Sequence, residues 1–262
     1  MTDRRQRQKE QRAAKKEAEK KQAARKELGR RVGTGLGFGA VVIAIFAVGA
    51  FFGGSNDALP GSYEGFRAQP TACGADQPPP EEILQFEEPE KQPDLTASST
   101  VIVTIATSCG EIVMQLHPAG YPETANSFVF LAREGFYDGQ VFHRIVREFR
   151  IFTGDPEANG TGGPGYTIAD EFPPDDFVYE VGAVAMQNVG KGTTGSEFFF
   201  VVGEAASVLN PQFNLLATLI SGEEALSRMA ELPTALRPGS REDSRPLETV
   251  YIESVTIDVT GS

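Results

Sequence analysis

Residues 32–52, VGTGLGFGAVVIAIFAVGAFF, run for 21 positions without a charge. As a helix rising about 1.5 Å per residue, such a run covers a hydrocarbon layer about 30 Å thick. It therefore divides the chain into two parts that need not share a solvent, and the charge follows the division. Residues 1–31 hold 13 Lys/Arg against 5 Asp/Glu, whereas the rest of the chain holds 11 against 31. A cleaved secretory signal is the rival reading, with Val48-Gly49-Ala50 as a weak cleavage site. Its apolar stretch is usually about 7–15 residues and its basic region much shorter than 31, so an anchor fits better. Basic residues flank the N-terminal side only. The N-terminus is thus expected in the cytosol and everything after Phe52 outside, as a single-pass protein of the cell membrane. Gly33, Gly35, Gly37 and Gly39 also give two overlapping GxxxG spacings, a pattern found both at helix-dimer faces and in Gly-rich anchors that do not pair.

The flanks carry little of a fold. Residues 1–31 mix Arg, Lys, Glu, Gln and Ala and favour a solvated basic helix with no face to bury. A basic segment beside a bilayer is drawn to anionic head groups. Without aromatic residues to stack on bases, nucleic acid is not an expected partner. Residues 53–98 hold seven prolines and nine acidic residues, the composition of an extended linker, although Ile83, Leu84 and Phe86 have the character to lie against a domain. Cys73 and Cys109 both fall on the predicted outer side. In an oxidising compartment such a pair is more often bridged than free. Neither has a CxxC partner or an adjacent His, so metal and thiol chemistry are not expected.

From about residue 99 the pattern becomes short strands. TVIVTIAT (100–107) and GEIVMQLH (110–117) are rich in β-branched residues and read as a hairpin. YPETANSFVFLAREGFY reads as a helix, with Pro122 in its first turn and Gly135 at its end. Further strands are expected at 140–146, 149–153, 181–187, 197–202 and within 248–259. SGEEALSRMAEL (221–232) reads as a second helix with a Ser221–Glu224 capping box. In EFFFVV, Phe198 and Phe200 share one face and Phe199 takes the other, so both faces of that strand are covered. Many antiparallel strands with two helices point to a mainly β barrel or sandwich.

Several motifs carry no chemistry. NGTGGPGYT (159–167) and GKGTTG (190–195) lack the Lys-Ser/Thr ending and spacing of phosphate loops and read as tight turns. The two histidines, His117 and His143, have no carboxylate pattern for a metal site or a triad, so no metal and no cofactor is expected.

In order, the chain carries FHRI (142–145), a Phe five residues after that Arg, GD (154–155), GTGGPGYT (160–167) and DEF (170–172). A GAVAM-N-G frame (182–190), GS-FFF (195–200) and LN (209–210) follow. This combination resembles the cyclophilin-type peptidyl-prolyl isomerases over residues 99–260, and among them the membrane-anchored actinobacterial form. The resemblance implies a closed eight-stranded antiparallel barrel capped by two helices, preceded here by the basic helix, the transmembrane helix and the Pro-rich linker. It implies rotation about X–Pro bonds in unfolded or proline-containing exported polypeptides. By position, Arg144 matches the catalytic arginine. Phe149, Phe199 and Leu209 match the walls of the ring pocket, and Asn188 matches the residue whose backbone pairs with substrate. Departures fall on the same site. Phe152 stands where the family usually has Gln, Glu197 where it has another Gln, Arg150 where it has Met, Val208 where it has Trp and Phe213 where it has His. Arg147-Glu148 replaces a Pro-Gly turn. Arg144 and Phe149 lie an odd number of residues apart, so a regular strand sends them to opposite faces, and only a bend brings both to one site. Arg147 and Arg150 read most simply as solvated rim, and Glu197 as a partner for Arg144 or Arg150. The alternative function is a peptide-binding module or chaperone on the same fold with weak or no isomerase activity.

Overall fold

The computed structural model describes residues 61–80 and 82–261, so the expected basic helix and membrane anchor lie outside the described residues. Among the described residues, no helix is long and apolar enough to cross a membrane.

Alternation of apolar and polar side chains decides the sheet. In β1 (Thr100–Thr107), Val101, Val103 and Ile105 are fully buried while their neighbours are not. In β2 (Gly110–Leu116), the inward side chains are Ile112, Met114 and Leu116. The two pair antiparallel as the expected hairpin. After helix α1 (Tyr63–Arg67), which precedes them, come α2 (Pro122–Arg133), β3 (Arg144–Val146), β4 (Arg150–Thr153), β5 (Ala183–Met186), β6 (Phe198–Val201) and β7 (Leu215–Ser221). Helix α3 (Glu223–Glu231), β8 (Thr234–Leu236), β9 (Asp243–Pro246) and β10 (Ile252–Thr260) complete the chain. Strands β10-β1-β2-β7-β5-β6-β4-β3 form one eight-stranded sheet in that order, and β8-β9 form a separate hairpin.

The sheet is curled but open, a half-barrel rather than the closed barrel that the resemblance implied. Its edge strands β10 and β3 do not pair. β3 is three residues long, and the two edges meet only at the bridge Val141–Tyr251 and through adjoining backbone bonds such as Phe142 N–H to the Val250 carbonyl (2.9 Å). β7 and the β8–β9 hairpin were not foreseen as strands.

The main core lies on the concave face. It gathers Val103, Ile105, Ile112, Met114, Ile151, Phe198 and Phe200 with Phe128, Val129, Leu131 of α2 and Leu226, Met229 of α3. Helix α2 begins at Pro122 as expected, but its N-cap residue, Tyr121, supplies no side-chain bond. The distant Glu171 carboxylate accepts Glu123 N–H (3.0 Å), Thr124 N–H (2.8 Å) and Thr124 Oγ1 (2.7 Å), meeting the free donors and positive end of the helix. The capping box of the other helix does not form. Ser221 is still in the ladder opposite Val113, and the N-cap of α3 is Gly222 at φ 112°. A Cβ there would stand 2.7 Å from the Ile112 Cα, so a glycine is required.

From residue 61 onward, the Pro-rich stretch is laid on the domain rather than held away from it. Tyr63 donates to the Gly139 carbonyl (2.8 Å), Ala72 N–H to the Thr249 carbonyl (2.9 Å), and Phe86 N–H to the Pro164 carbonyl (2.8 Å). Phe86 packs edge-on to Phe130 at 5.0 Å, and Leu84 also reaches the core, whereas Ile83 remains exposed. Arg133 holds Asp94 through two bonds of 2.6 and 2.8 Å. Cys73 and Cys109 are bridged, with Cα atoms 5.3 Å apart and a sequence separation of 36. Closing a loop of that length stabilises by about 3–4 kcal/mol in the chain-entropy model. Reduction, or the Cys73→Ser, Cys109→Ser double substitution, is expected to lower unfolding free energy by about that amount. Urea titration with and without reductant measures it.

Candidate active site

The site begins with a turn. Val146 and Arg150 face each other across β3 and β4, leaving only Arg147, Glu148 and Phe149 to reverse the chain. Phe149 N–H closes it on the Val146 carbonyl (3.1 Å), and Glu148 takes the left-handed conformation, φ 56°. Glu148 thus supplies the bend that a Pro-Gly turn was expected to give, at the usual cost of a positive φ in a residue with a Cβ. The turn is pinned from outside by Val202 N–H to the Phe149 carbonyl (3.1 Å) and by close approach of Gly203. A Cβ on Gly203 would lie 2.0 Å from the Glu148 carbonyl oxygen.

The turn fixes the register Arg144–Phe152, Ile145–Ile151, Val146–Arg150. Ile145 and Ile151 enter the main core, so Arg144, Phe152 and Arg150 share the convex face. There, β6 adds Phe199 opposite Phe152, and a second apolar cluster forms from Phe152, Phe199, Tyr179, Val201 and Leu215, edged by Phe149, Leu209 and Phe213. Both faces of β6 are covered, as its aromatic pattern indicated. Phe199 and Phe213 meet edge-to-face at 5.3 Å. Tyr179 holds Phe213 in place, its hydroxyl donating to the Phe213 carbonyl (2.5 Å) and accepting Phe213 N–H (3.1 Å). Burial raises the Tyr179 pKa, so the phenol remains a donor. Arg144 and Phe149 therefore border one site despite their odd spacing.

The arginines are not where simple reading placed them. Arg144 is held by a carboxylate that sequence reasoning missed: Glu242, in the β8–β9 hairpin, accepts Nε at 2.7 Å and Nη2 at 2.8 Å. The guanidinium lies 4.4 Å from the centroid of the Phe152 ring, so Phe152 is a stacking surface where a hydrogen-bonding Gln was expected. No local spacing signals Glu242, which stands 98 residues away. Arg150 is not solvated rim. It is 8% exposed, with its guanidinium carbon 4.4 Å from the Phe149 centroid, 4.7 Å from Phe199, 4.9 Å from Phe152 and 5.6 Å from Phe213. Arg147 does lie on the exposed side, donating to the Leu232 carbonyl at 2.8 Å. Glu197 pairs with neither Arg144 nor Arg150. Its carboxylate meets Nε2 of buried His143 at 3.1 Å. Asn188 and Glu197 line an adjoining cavity of about 800 Å³ with Gln187, Thr167 and Gln85. The Asn188 carbonyl accepts Gln187 Nε2 at 2.9 Å, and its own amide donates to the Gln212 carbonyl at 2.8 Å. Val208 is 82% exposed, leaving the rim open where the family carries a Trp.

A profile of the family described as cyclophilin type peptidyl-prolyl cis-trans isomerase/CLD matches residues 102–257, more than half of the chain. The chain belongs to this family. It is 38% identical over 170 residues to the peptidyl-prolyl cis-trans isomerase B of Streptomyces anulatus, covering 59% of this chain and 95% of that one. Identity to the probable peptidyl-prolyl cis-trans isomerase B of Mycobacterium tuberculosis is 35% over 178 residues, or 62% of this chain and 56% of that one. A crystal structure of a Cryptosporidium parvum cyclophilin-type isomerase superposes with a TM-score of 0.54 at 26% identity, covering 62% of this chain and 99% of that one. The protein is accordingly an isomerase of X–Pro bonds.

Three outcomes follow from this geometry. Gly203→Ala forces the β3–β4 turn outward, so a loss of about 1–3 kcal/mol in stability should accompany a raised KM for X–Pro peptides. Unfolding and kinetic titrations of the variant check both. Glu242→Ala removes the carboxylate that orients Arg144 and screens it from Arg150, and is expected to lower kcat about tenfold with a smaller change in KM. Glu242→Gln should fall between. The bond to Arg144, then that to Ser244, against the opposing effect of burial, hold the Glu242 carboxyl below its ordinary pKa. The clamp is therefore intact above the usual glutamate range and is lost only as pH falls through the lowered value. A wild-type kcat that stays flat down to about pH 4.5 is the expected profile.

Proposed function

We propose that this chain is a membrane-anchored, extracytoplasmic isomerase that assists the folding of exported proteins, with residues 32–52 in the bilayer, residues 1–31 in the cytosol and the domain outside. The uncharged run, its one-sided basic flank and the bridged cysteines support that placement. The observation that carries the chemical reading is the convergence of the Arg144 guanidinium with Phe149, Phe199, Leu209 and Phe213 on one sheet face. A related C. parvum structure was obtained in the presence of the dipeptide Ala-Pro, and proline-containing peptides are the substrate class that the pocket suits.

The barrier is the partial double bond of the amide, about 18–20 kcal/mol. Twisting it ends the resonance and returns a lone pair to the prolyl nitrogen. No proton leaves and no covalent intermediate forms. A guanidinium beside that nitrogen favours the twisted state over the planar one, which is the differential binding that catalysis requires. Arg144 is suited to this because it stays charged and because Glu242 fixes its orientation before substrate arrives. The apolar walls hold the ring, while the Asn188 backbone and the adjoining cavity receive the flanking residues. A peptide-binding role with weak isomerisation is favoured by one observation, the neutralisation of Arg144 by Glu242.

Exchange spectroscopy on an X–Pro peptide with the full chain in detergent separates the readings. Arg144→Ala is expected to reduce kcat/KM by about 10²–10³-fold. Unchanged exchange would overturn the catalytic assignment, and binding without exchange in the wild type would favour the second reading. Protease added to intact cells should cleave the C-terminal domain, and full protection would overturn the topology.

A further inference from the structure

Arg150 is the one departure at the site that no neighbour explains. It opens β4, facing Val146 on one side and Val201 on the other. At 8% exposure its guanidinium stands within 5.6 Å of the centroids of four phenylalanine rings. Three of them, Phe149, Phe199 and Phe213, are the rings expected to enclose proline. Nε and Nη1 are both buried and neither has a hydrogen-bond partner. The two nearby carboxylates are already taken, Glu242 by Arg144 and Ser244, and Glu197 by His143.

The aromatic faces offset part of the cost of burying this charge. They do not satisfy its N–H donors, and buried donors left unmet are costly. Nor does the group escape by losing its proton. Burial, then the neighbouring Arg144, lower its pKa to about 10, which still leaves it charged at neutral pH. A segment that packs among these rings therefore meets a cation whose Nε and Nη1 have no protein partner. A carbonyl oxygen can meet such donors, but an anionic oxygen does so by charge-assisted bonds about twice as strong, in surroundings that screen poorly.

Given the ring pocket proposed above, we infer that Arg150 makes this isomerase selective for X–Pro segments that carry a carboxylate beside the prolyl ring. The carboxylate comes from the residue before proline, from the residue after it, or from proline as a free C-terminus.

The test is a set of short peptides with the full chain in detergent at low salt, read by exchange spectroscopy. The set holds a neutral Ala-Ala-Pro-Phe, its Glu-before-Pro and Glu-after-Pro relatives, a peptide ending in Pro, and a Lys-after-Pro control. At least one carboxylate peptide is expected to exceed the neutral one about tenfold in kcat/KM, with the Lys peptide poorest. The peptide that does so identifies the source. The deciding readout is the acidic-to-neutral ratio within each variant, which does not depend on absolute rate. In Arg150→Met the ratio should fall to near one, and in Arg150→Lys, which keeps the charge but not the planar fork, it should remain above one. A wild-type ratio near one, with the neutral peptide turned over normally, would overturn the inference and leave the isomerase reading standing. A high ratio that persists in Arg150→Met overturns it equally. No turnover of any peptide would instead sink the isomerase reading itself.

Discussion

Three residues between Val146 and Arg150 reverse the chain, and every contact at the candidate site depends on that reversal. With Glu148 left-handed and Gly203 closing on it, the hairpin has a single register. A slip of one residue would exchange the faces of β4, sending Ile151 outward and Phe152 into the main core. Because Ile145 and Ile151 are fully buried, the core itself enforces the register. The reactive face is thus specified by apolar burial on the opposite side of the same strands. Its polar residues need not stabilise the fold and are free to vary.

In this chain they form one set. Phe152 stacks on Arg144 where an amide would have bonded it, and the bonding is supplied instead by Glu242 from the β8–β9 hairpin. Glu197 turns to His143. Arg150, which would repel Arg144 across the shared Phe152 ring, is tolerated because Glu242 and Glu197 act in the opposite direction. Together they set ion pairs and cation–ring contacts around one phenylalanine, Phe152.

This explains what could be read from the chain and what could not. The β1–β2 hairpin, helix α2 and the two-faced β6 follow from local periodicity, which burial then rewards directly. The disulfide was legible from the placement of two cysteines, and convergence of Arg144 with Phe149 was legible as a geometric requirement, though not its means. Glu242 was not legible, because a contact between residues 144 and 242 leaves no trace in either local pattern. Arg150 was misread for a related reason. An arginine in an apolar run has a bland solvated reading, and only the arrangement of four rings from three separate segments shows that it is enclosed. The Ser221–Glu224 box failed because capping is a local preference that strand pairing overrode. The linker composition of 61–98 concealed a strap whose Tyr63, Phe66, Leu84, Phe86 and Leu95 pack on the domain, while Ile83 stays exposed.

That strap bears on how the site is held. Gln85 Nε2 donates to the Gly163 carbonyl at 2.8 Å, and Phe86 bonds Pro164, so the strap braces the Gly-rich loop from outside. The loop is folded over Asp155, whose fully buried carboxylate accepts N–H groups of Glu157, Asn159 and Gly160. The same loop forms one wall of the cavity beside Asn188 and Glu197. At its start the strap is fastened by the bond between Cys73 and Cys109, and near its end by Arg133 on Asp94. A wall of glycine and threonine, with little apolar surface of its own, would otherwise depend on backbone bonds exposed to water. Fixing the strap at both ends converts it into a support for the loop. Through that loop, the covalent link at the β1–β2 turn and the ion pair on α2 both bear on the geometry that a flanking peptide residue meets.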